Sequence, residues 1–167
     1  KNRYVIIYVT YRFSKVFKTR LDYGNIRSYL ESEGIDHPTA VSLRNAIISI
    51  RNAKLPDPAK LGNAGSFFVN PVVPVAKYDS LCKEYPDMPH YFLGDDRVKI
   101  PAGWLIERCG WKGRSLGRVG VYEKQSLVLV NRGNASGEEI VALCERIRSD
   151  VRNKFGIDIY PEVNIIR

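Results

Sequence analysis

The residues best suited to chemistry lie in one stretch, Lys60-Leu-Gly-Asn-Ala-Gly-Ser-Phe-Phe-Val-Asn-Pro71. Gly62 and Gly65 let the backbone take positive φ angles and approach a ligand closely. They set Ser66 on a turn leading into a short strand over residues 67–73, a placement that exposes its hydroxyl. On local grounds alone the segment reads as a simple turn before a strand. It has neither the Gly-Lys-Ser/Thr ending of a nucleotide P-loop nor the glycine spacing of a dinucleotide fingerprint, so both are disfavoured. Cys82, Cys109 and Cys144 are widely spaced without a Cys-x-x-Cys pair, and His37 and His90 each neighbour a proline. That pattern offers no metal ligand set, and the odd number of thiols argues against a disulfide scaffold.

Positioning Ser66 falls to the elements around it. Residues 3–13 are aromatic and β-branched and predict a strand. The turn cluster Asp22-Tyr23-Gly24-Asn25 leads into a short helix over 26–33. His37-Pro38-Thr39 opens a second helix with Pro38 in its first turn, where no amide is needed. Its expected stripe is Val41, Leu43, Ala46, Ile47 and Ile50, with Arg44 and Arg51 outward, and Leu55-Pro56-Asp57-Pro58 stops it. Over residues 74–85, Val75, Tyr78, Leu81, Cys82 and Tyr85 recur at helical steps. Cys82 and Cys144 fall on apolar helix positions, as small hydrophobes do.

Residues 86–96 read as a loop carrying Tyr91 and Phe92, 98–100 as a short strand, and 102–109 as a short helix. A glycine- and arginine-rich loop over 110–120 holds Trp111, Lys112, Arg114 and Arg118. Strands over 119–122 and 126–131 precede a long helix that Ser136 caps, with Glu139 completing a capping box. Ile140, Cys144, Ile147, Val151 and Phe155 form its stripe, and Gly156 stands at its C-terminal cap. A last strand over 157–166 is broken by Pro161. The irregular alternation implies an α+β or mixed α/β class. The first and last strands are expected to belong to sheets other than the central unit's own.

With 167 residues, 44% of them hydrophobic, the chain can bury a core, which argues against disorder. Its 26 Lys and Arg against 18 Asp and Glu give a formal charge of +8. That favours an anionic partner (nucleic acid, acidic lipid or a phosphate-bearing small molecule), although a generally basic surface explains it as well. No stretch is long enough to span a bilayer and no signal peptide opens the chain, so a cytosolic protein is expected. The chain begins without Met and directly on a strand, which reads as a fragment of a longer protein.

Several motifs run collinearly: Lys54-Leu-Pro-Asp-Pro58, Gly62-Asn-Ala-Gly-Ser-Phe-Phe68, Asn70-Pro71, and residues 99–106. Gly110-Trp-Lys-Gly113, residues 121–125 and 127–131, Gly133-Asn-Ala135 and Pro161-Glu-Val163 follow in order. Together they resemble the UDP-N-acetylenolpyruvoylglucosamine reductase family over nearly the whole chain. The resemblance implies part of a cytoplasmic bacterial enzyme of peptidoglycan synthesis. It would reduce UDP-N-acetylglucosamine enolpyruvate to UDP-N-acetylmuramate with NADPH, through bound FAD. Hydride reaching one vinylic carbon leaves enolate character beside the carboxylate, which a positioned acid must protonate.

By this resemblance Ser66 is the proton donor. Glu162 is a second catalytic residue that assists the developing enol, a role that needs its carboxyl protonated. Tyr23, Lys54, Tyr91 and Lys112 resemble diphosphate contacts, and Asn70 and Gln125 resemble polar substrate contacts. Ammonium and phenolic donors suit a diphosphate. Two departures stand out: Asn25 where the family more often has Asp, and Val69 where it commonly has a basic residue. Tyr23 suggests the version of the family with an extra tyrosine loop over the substrate.

The implied division is residues 1–60 as the end of a FAD-binding region with the tyrosine loop and a helix, 61–155 as the substrate-binding domain, and 156–167 as a strand returning to the FAD-binding region. The family holds FAD mainly through residues upstream of this chain, including a catalytic arginine. The chain alone is therefore expected to bind little or no FAD and to turn nothing over. No metal, nucleic-acid or membrane partner is expected. Two alternatives stand beside this: a basic nucleic-acid-binding module built on Arg114, Arg118 and Arg132, and a non-catalytic UDP-sugar-binding domain. The first lacks a recognition helix, zinc finger or aromatic RNA-binding motif.

Overall fold

A computed structural model describes residues 4–22 and 24–166. The chain divides into two compact units, Lys1–Ala53 and Lys54–Arg167. In the first, helices α1 (Ile26–Ser32) and α2 (Ala40–Lys54) close a small core of Ile26, Leu30 and Ala46, joined by Leu21, Tyr29, Leu43 and Ile50. Thr39 fixes the start of α2: its Oγ1 accepts from the Ser42 N–H at 3.1 Å and its own N–H donates to Ser42 Oγ at 2.8 Å. These reciprocal bonds satisfy donors of the first turn, and Pro38 lies before the helix rather than in it. The buried line is narrower than the expected stripe. Val41 is 68% and Ile47 37% exposed, because at about 100° per residue Val41 lies on the far side from Leu43.

The expected strand over 3–13 is not formed among the described residues. Val5, Ile6, Ile7 and Tyr8 are between 77% and 87% exposed, and residues 4–13 enter no sheet. High β-propensity describes a side chain's fit to a pleated surface; a strand also needs a neighbouring backbone to take up its N–H and C=O groups.

The second unit is α+β. Among the described residues it holds two antiparallel sheets. The larger runs β1 (Gly62–Ser66), β7 (Gln125–Asn131), β6 (Val119–Tyr122), β5 (Ser115–Leu116), and the smaller runs β2 (Val72–Pro74), β4 (Arg97–Lys99), β3 (Tyr91–Gly94). Helix α3 (Val75–Cys82) follows β2 directly. Helix α4 (Ala102–Arg108) packs on β7, α5 (Gly137–Phe155) on β6, and the two helices touch, so they share one face of the larger sheet.

Between them lies the main core, including Phe68, Val98, Ile100, Leu105, Trp111, Leu143, Ile147 and Phe155. Helix α5 behaves as its sequence dictates. Ser136 Oγ accepts from the Glu139 N–H at 3.3 Å, the Glu139 carboxylate accepts from the Ser136 N–H at 2.8 Å, and Gly156 takes φ 62°. Burial pushes the Cys109 and Cys144 thiols up to about 11.

Three sequence expectations are corrected here. The glycine-rich stretch is itself a strand, β1, rather than a turn before one, and residues 67–71 carry the chain on to β2. Part of the loop over 86–96 forms β3, which pairs Tyr91 with Lys99. The strand over 157–166 reduces to one bridge, Pro161 to Phe68. Pro161 has no N–H to extend a ladder.

Candidate active site

Ser66 sits where β1 changes neighbours. Up to this point β1 pairs with β7, with Gly62 opposite Asn131 and Ser66 opposite Val128, and the register shifts between Asn63 and Ser66. That bulge carries Gly65 at φ 71°, a conformation that favours glycine. Asn63 fastens it. Its Oδ1 accepts from the Gly65 N–H at 3.0 Å, and its Nδ2 donates to Leu61 O at 2.9 Å and to Pro56 O at 3.4 Å. The last of these bonds ties the Lys54-Leu-Pro-Asp-Pro58 stretch to the bulge before Ser66, while exposed Lys54 ends α2.

One residue further on, the Phe67 N–H donates to Leu127 O, and Phe67 O accepts from the Glu162 N–H, both at 2.8 Å. The Val69 N–H donates to Tyr160 O at 2.9 Å on the other side of the bridge. Phe67 thus spans two neighbours, and the chain brings Glu162 alongside the residue that follows Ser66. Phe67 and Phe68 are buried and pin this crossing, while Ser66 and Glu162 stay exposed.

A second group gathers along α4. Pro101 precedes the helix and offers no side-chain cap. Asn70 supplies one from a distant segment: its Oδ1 accepts from the Ala102 N–H at 2.9 Å. That satisfies a donor the helix would otherwise leave open, and Asn70 keeps its amide N–H2 for another acceptor. Gln125 opens β7 against the same first turn; a Cβ on Gly103 would lie 3.7 Å from Gln125 Oε1 and 3.3 Å from Leu127 Cγ. At the last turn, Lys112 Nζ donates to Glu107 Oε1 at 2.9 Å and Oε2 at 3.0 Å.

Trp111 anchors the Lys112 loop. It is 1% exposed, its indole N–H donates to Asp150 Oδ2 at 3.0 Å, and the Arg114 guanidinium lies 4.6 Å from its ring centroid. One short helix therefore organises Asn70, Lys112 and Gln125, which are far apart in sequence.

Tyr91 stands on the smaller sheet, 59% exposed. The register aligns Val72, Lys99 and Tyr91 across three strands, and Lys99 Nζ lies 5.6 Å from the Tyr91 ring centroid. Lys99 is a cation the sequence reading did not single out; only the strand pairing reveals it. Glu107, Asn63 and Gly103 were missed likewise, because each acts on residues held by another element. Tyr23 lies outside the described residues.

The glycine-rich stretch does not fit the phosphate cradle of a dinucleotide cofactor. Its backbone is paired with β7, the Gly65 N–H is held by Asn63, and the Phe67 N–H by Leu127. A cradle needs those donors turned toward the phosphates. Among the described residues no cluster of three or more His, Cys, Asp or Glu is placed to hold a metal ion, and no helix is long and apolar enough to cross a membrane.

Comparison with known proteins bears on the same region. A family model described as UDP-N-acetylenolpyruvoylglucosamine reductase, C-terminal domain, matches residues 57–166. A protein of Bacteroides fragilis named UDP-N-acetylenolpyruvoylglucosamine reductase is 54% identical over 162 residues, covering 96% of this chain and 48% of its own. Its namesake in Porphyromonas gingivalis is 53% identical over 163 residues, covering 98% of this chain and 48% of the relative. One from Paraburkholderia xenovorans is 49% identical over 164 residues, 97% of this chain and 47% of the relative. The chain spans about half the length of the curated relatives it matches.

Proposed function

The chain belongs to the UDP-N-acetylenolpyruvoylglucosamine reductase family, and on that premise we propose that it carries the proton-donating, substrate-binding half of such an enzyme. The reaction is reduction of UDP-N-acetylglucosamine enolpyruvate to UDP-N-acetylmuramate in the bacterial cytoplasm, for peptidoglycan, with NADPH as reductant by way of FAD. Residues 61–155 form the substrate-binding domain; residues 1–60 and 156–167 belong with the FAD-binding region, whose main flavin contacts lie outside this chain. Apart from that region, this chain binds little or no FAD and is inactive.

In this reading the Ser66 Oγ–H bond breaks and its proton goes to the carbanionic carbon beside the substrate carboxylate, forming the new C–H bond. The serine oxygen then regains a proton from solvent. A serine hydroxyl is a weak acid and serves here because its acceptor is a strongly basic carbon. Glu162 assists the developing enol beside it. Lys54, Lys112, Tyr23 and Tyr91 meet the diphosphate, and Asn70 and Gln125 meet neutral polar groups of the substrate.

The observation that supports the reading is the hydrogen bond from the Glu162 N–H to Phe67 O at 2.8 Å, which sets the backbone of one proposed catalytic residue beside the neighbour of the other. The arginines named for a nucleic-acid surface each have a partner within the chain. Arg118 pairs with Glu139 at 2.7 Å, Arg132 with Glu123 at 3.7 Å, and Arg114 covers Trp111.

The test is Ser66→Ala in the full-length protein. NADPH continues to reduce the flavin, while turnover of the enolpyruvyl sugar falls by at least ~10²-fold, the usual weight of a positioned acid. Unchanged turnover would remove Ser66 from the role.

A further inference from the structure

Lys112 is presented by a rigid neighbour and a loose side chain. Trp111 fixes the backbone of its loop through burial and the bond to Asp150. Gly110 and Gly113, at φ 75° and 74°, turn the chain out of α4 and on toward β5. The lysine stem beyond that anchor has four rotatable carbons and one of the largest rotamer freedoms of any side chain. What sets its direction is Glu107, in the last turn of α4, which takes the ammonium on both carboxylate oxygens at 2.9 and 3.0 Å. The same carboxylate is held in turn: Ser126, buried at 3% exposure, donates its hydroxyl to Glu107 Oε2 at 3.4 Å. Ser126 directly follows Gln125 on β7.

The geometry points to Glu107 as a positioning residue for Lys112, an inference that rests on the reading of Lys112 as a diphosphate contact. Glu107 restricts the lysine before the substrate arrives, so less side-chain freedom is lost on binding. An ammonium has three donors. The Lys112 side chain is 40% exposed and the Glu107 side chain 50% exposed, so the ammonium keeps a solvent-facing side on which a phosphate oxygen fits. An exposed pair of this kind adds little to folding. Its consequence is therefore sought in recognition of the UDP-sugar. Because the carboxylate also offsets part of the lysine's charge, the expected gain is a few-fold.

Kinetics and binding in the full-length, flavin-loaded protein separate the possibilities. Glu107→Gln keeps an acceptor for Ser126 while removing the charge that holds Lys112. It should raise KM for the enolpyruvyl UDP-sugar about three- to five-fold, the range of an exposed ion pair, with kcat within about two-fold and NADPH-driven flavin reduction unchanged. The calorimetric Kd for the same sugar should move in parallel with KM, and Glu107→Asp should recover part of the loss. Lys112→Met should raise KM at least as far, and adding Glu107→Gln to it should change nothing more.

An unchanged or lowered KM in Glu107→Gln would overturn the inference, as would effects of the two substitutions that simply multiply. A wild-type protein that fails to reduce the enolpyruvyl sugar would instead remove the underlying reading, and this inference with it.

Discussion

Asn70 serves two partners with the two ends of one amide, and that makes its roles separable. Its Oδ1 caps α4 through the Ala102 N–H, and its N–H2 is the part proposed to meet the substrate. Asn70→Asp keeps an acceptor at the helix N-terminus, where negative charge is favourable, and loses only the donor. It should keep the denaturation midpoint near wild type and raise KM for the UDP-sugar. Asn70→Ala loses both, and should cost about 1 kcal/mol of stability, as a lost cap does. Urea unfolding alongside steady-state kinetics checks the pair, and an Asp variant as destabilised as the Ala variant would count against the capping role. No local signal marks Asn70 as a cap, because the helix it caps starts at Ala102 and is not the one that follows it in sequence.

Elements differ in how much of themselves they carry locally. Helix α5 was legible at both ends and along most of its stripe: Ser136 and Glu139 bond each other three positions apart, Gly156 supplies the left-handed stop, and only buried Leu143 and half-buried Ile140 depart from the expected line. Strand β1 was not legible. Gly, Asn and Ala are poor strand formers, and its ladder is dictated by Asn131, Val130 and Val128 on β7. Residues 5–13 fail in the opposite sense, with strand-like side chains but no sheet among the described residues.

The capping box of α5 also sets a pH dependence. The Ser136 backbone N–H, and after it Arg118, hold the Glu139 carboxyl below its ordinary value. A carboxyl lowered in the folded state stabilises that state above its unfolded pKa, about 4.3, and the contribution is lost as pH falls through the folded value. Urea midpoints at neutral pH and near pH 3 should therefore differ less in Glu139→Gln than in wild type. An identical acid dependence in the two proteins would contradict this.

At the scale of the molecule, the site depends on connections that no single stretch of sequence announces. The smaller sheet aligns Tyr91 with Lys99, α4 gathers Asn70, Gln125 and Lys112, and the bridge from Pro161 to Phe68 carries Glu162 to the end of β1. The residue types were readable in sequence order through their likeness to a family. Their grouping on these separate elements needed the fold, because it rests on backbone pairing between segments far apart in the chain.

Ser66 and Glu162 are proposed to act together on one developing enolate, and a double-mutant cycle in the full-length protein measures that coupling. Single-turnover reduction of the enolpyruvyl sugar is measured for wild type, Ser66→Ala, Glu162→Ala and the double variant. Residues that act as one unit give strongly non-additive losses, so the double variant should be barely slower than the worse single one. Losses that multiply across the two substitutions, or a Glu162→Ala protein as fast as wild type, would show that the two residues do not act together.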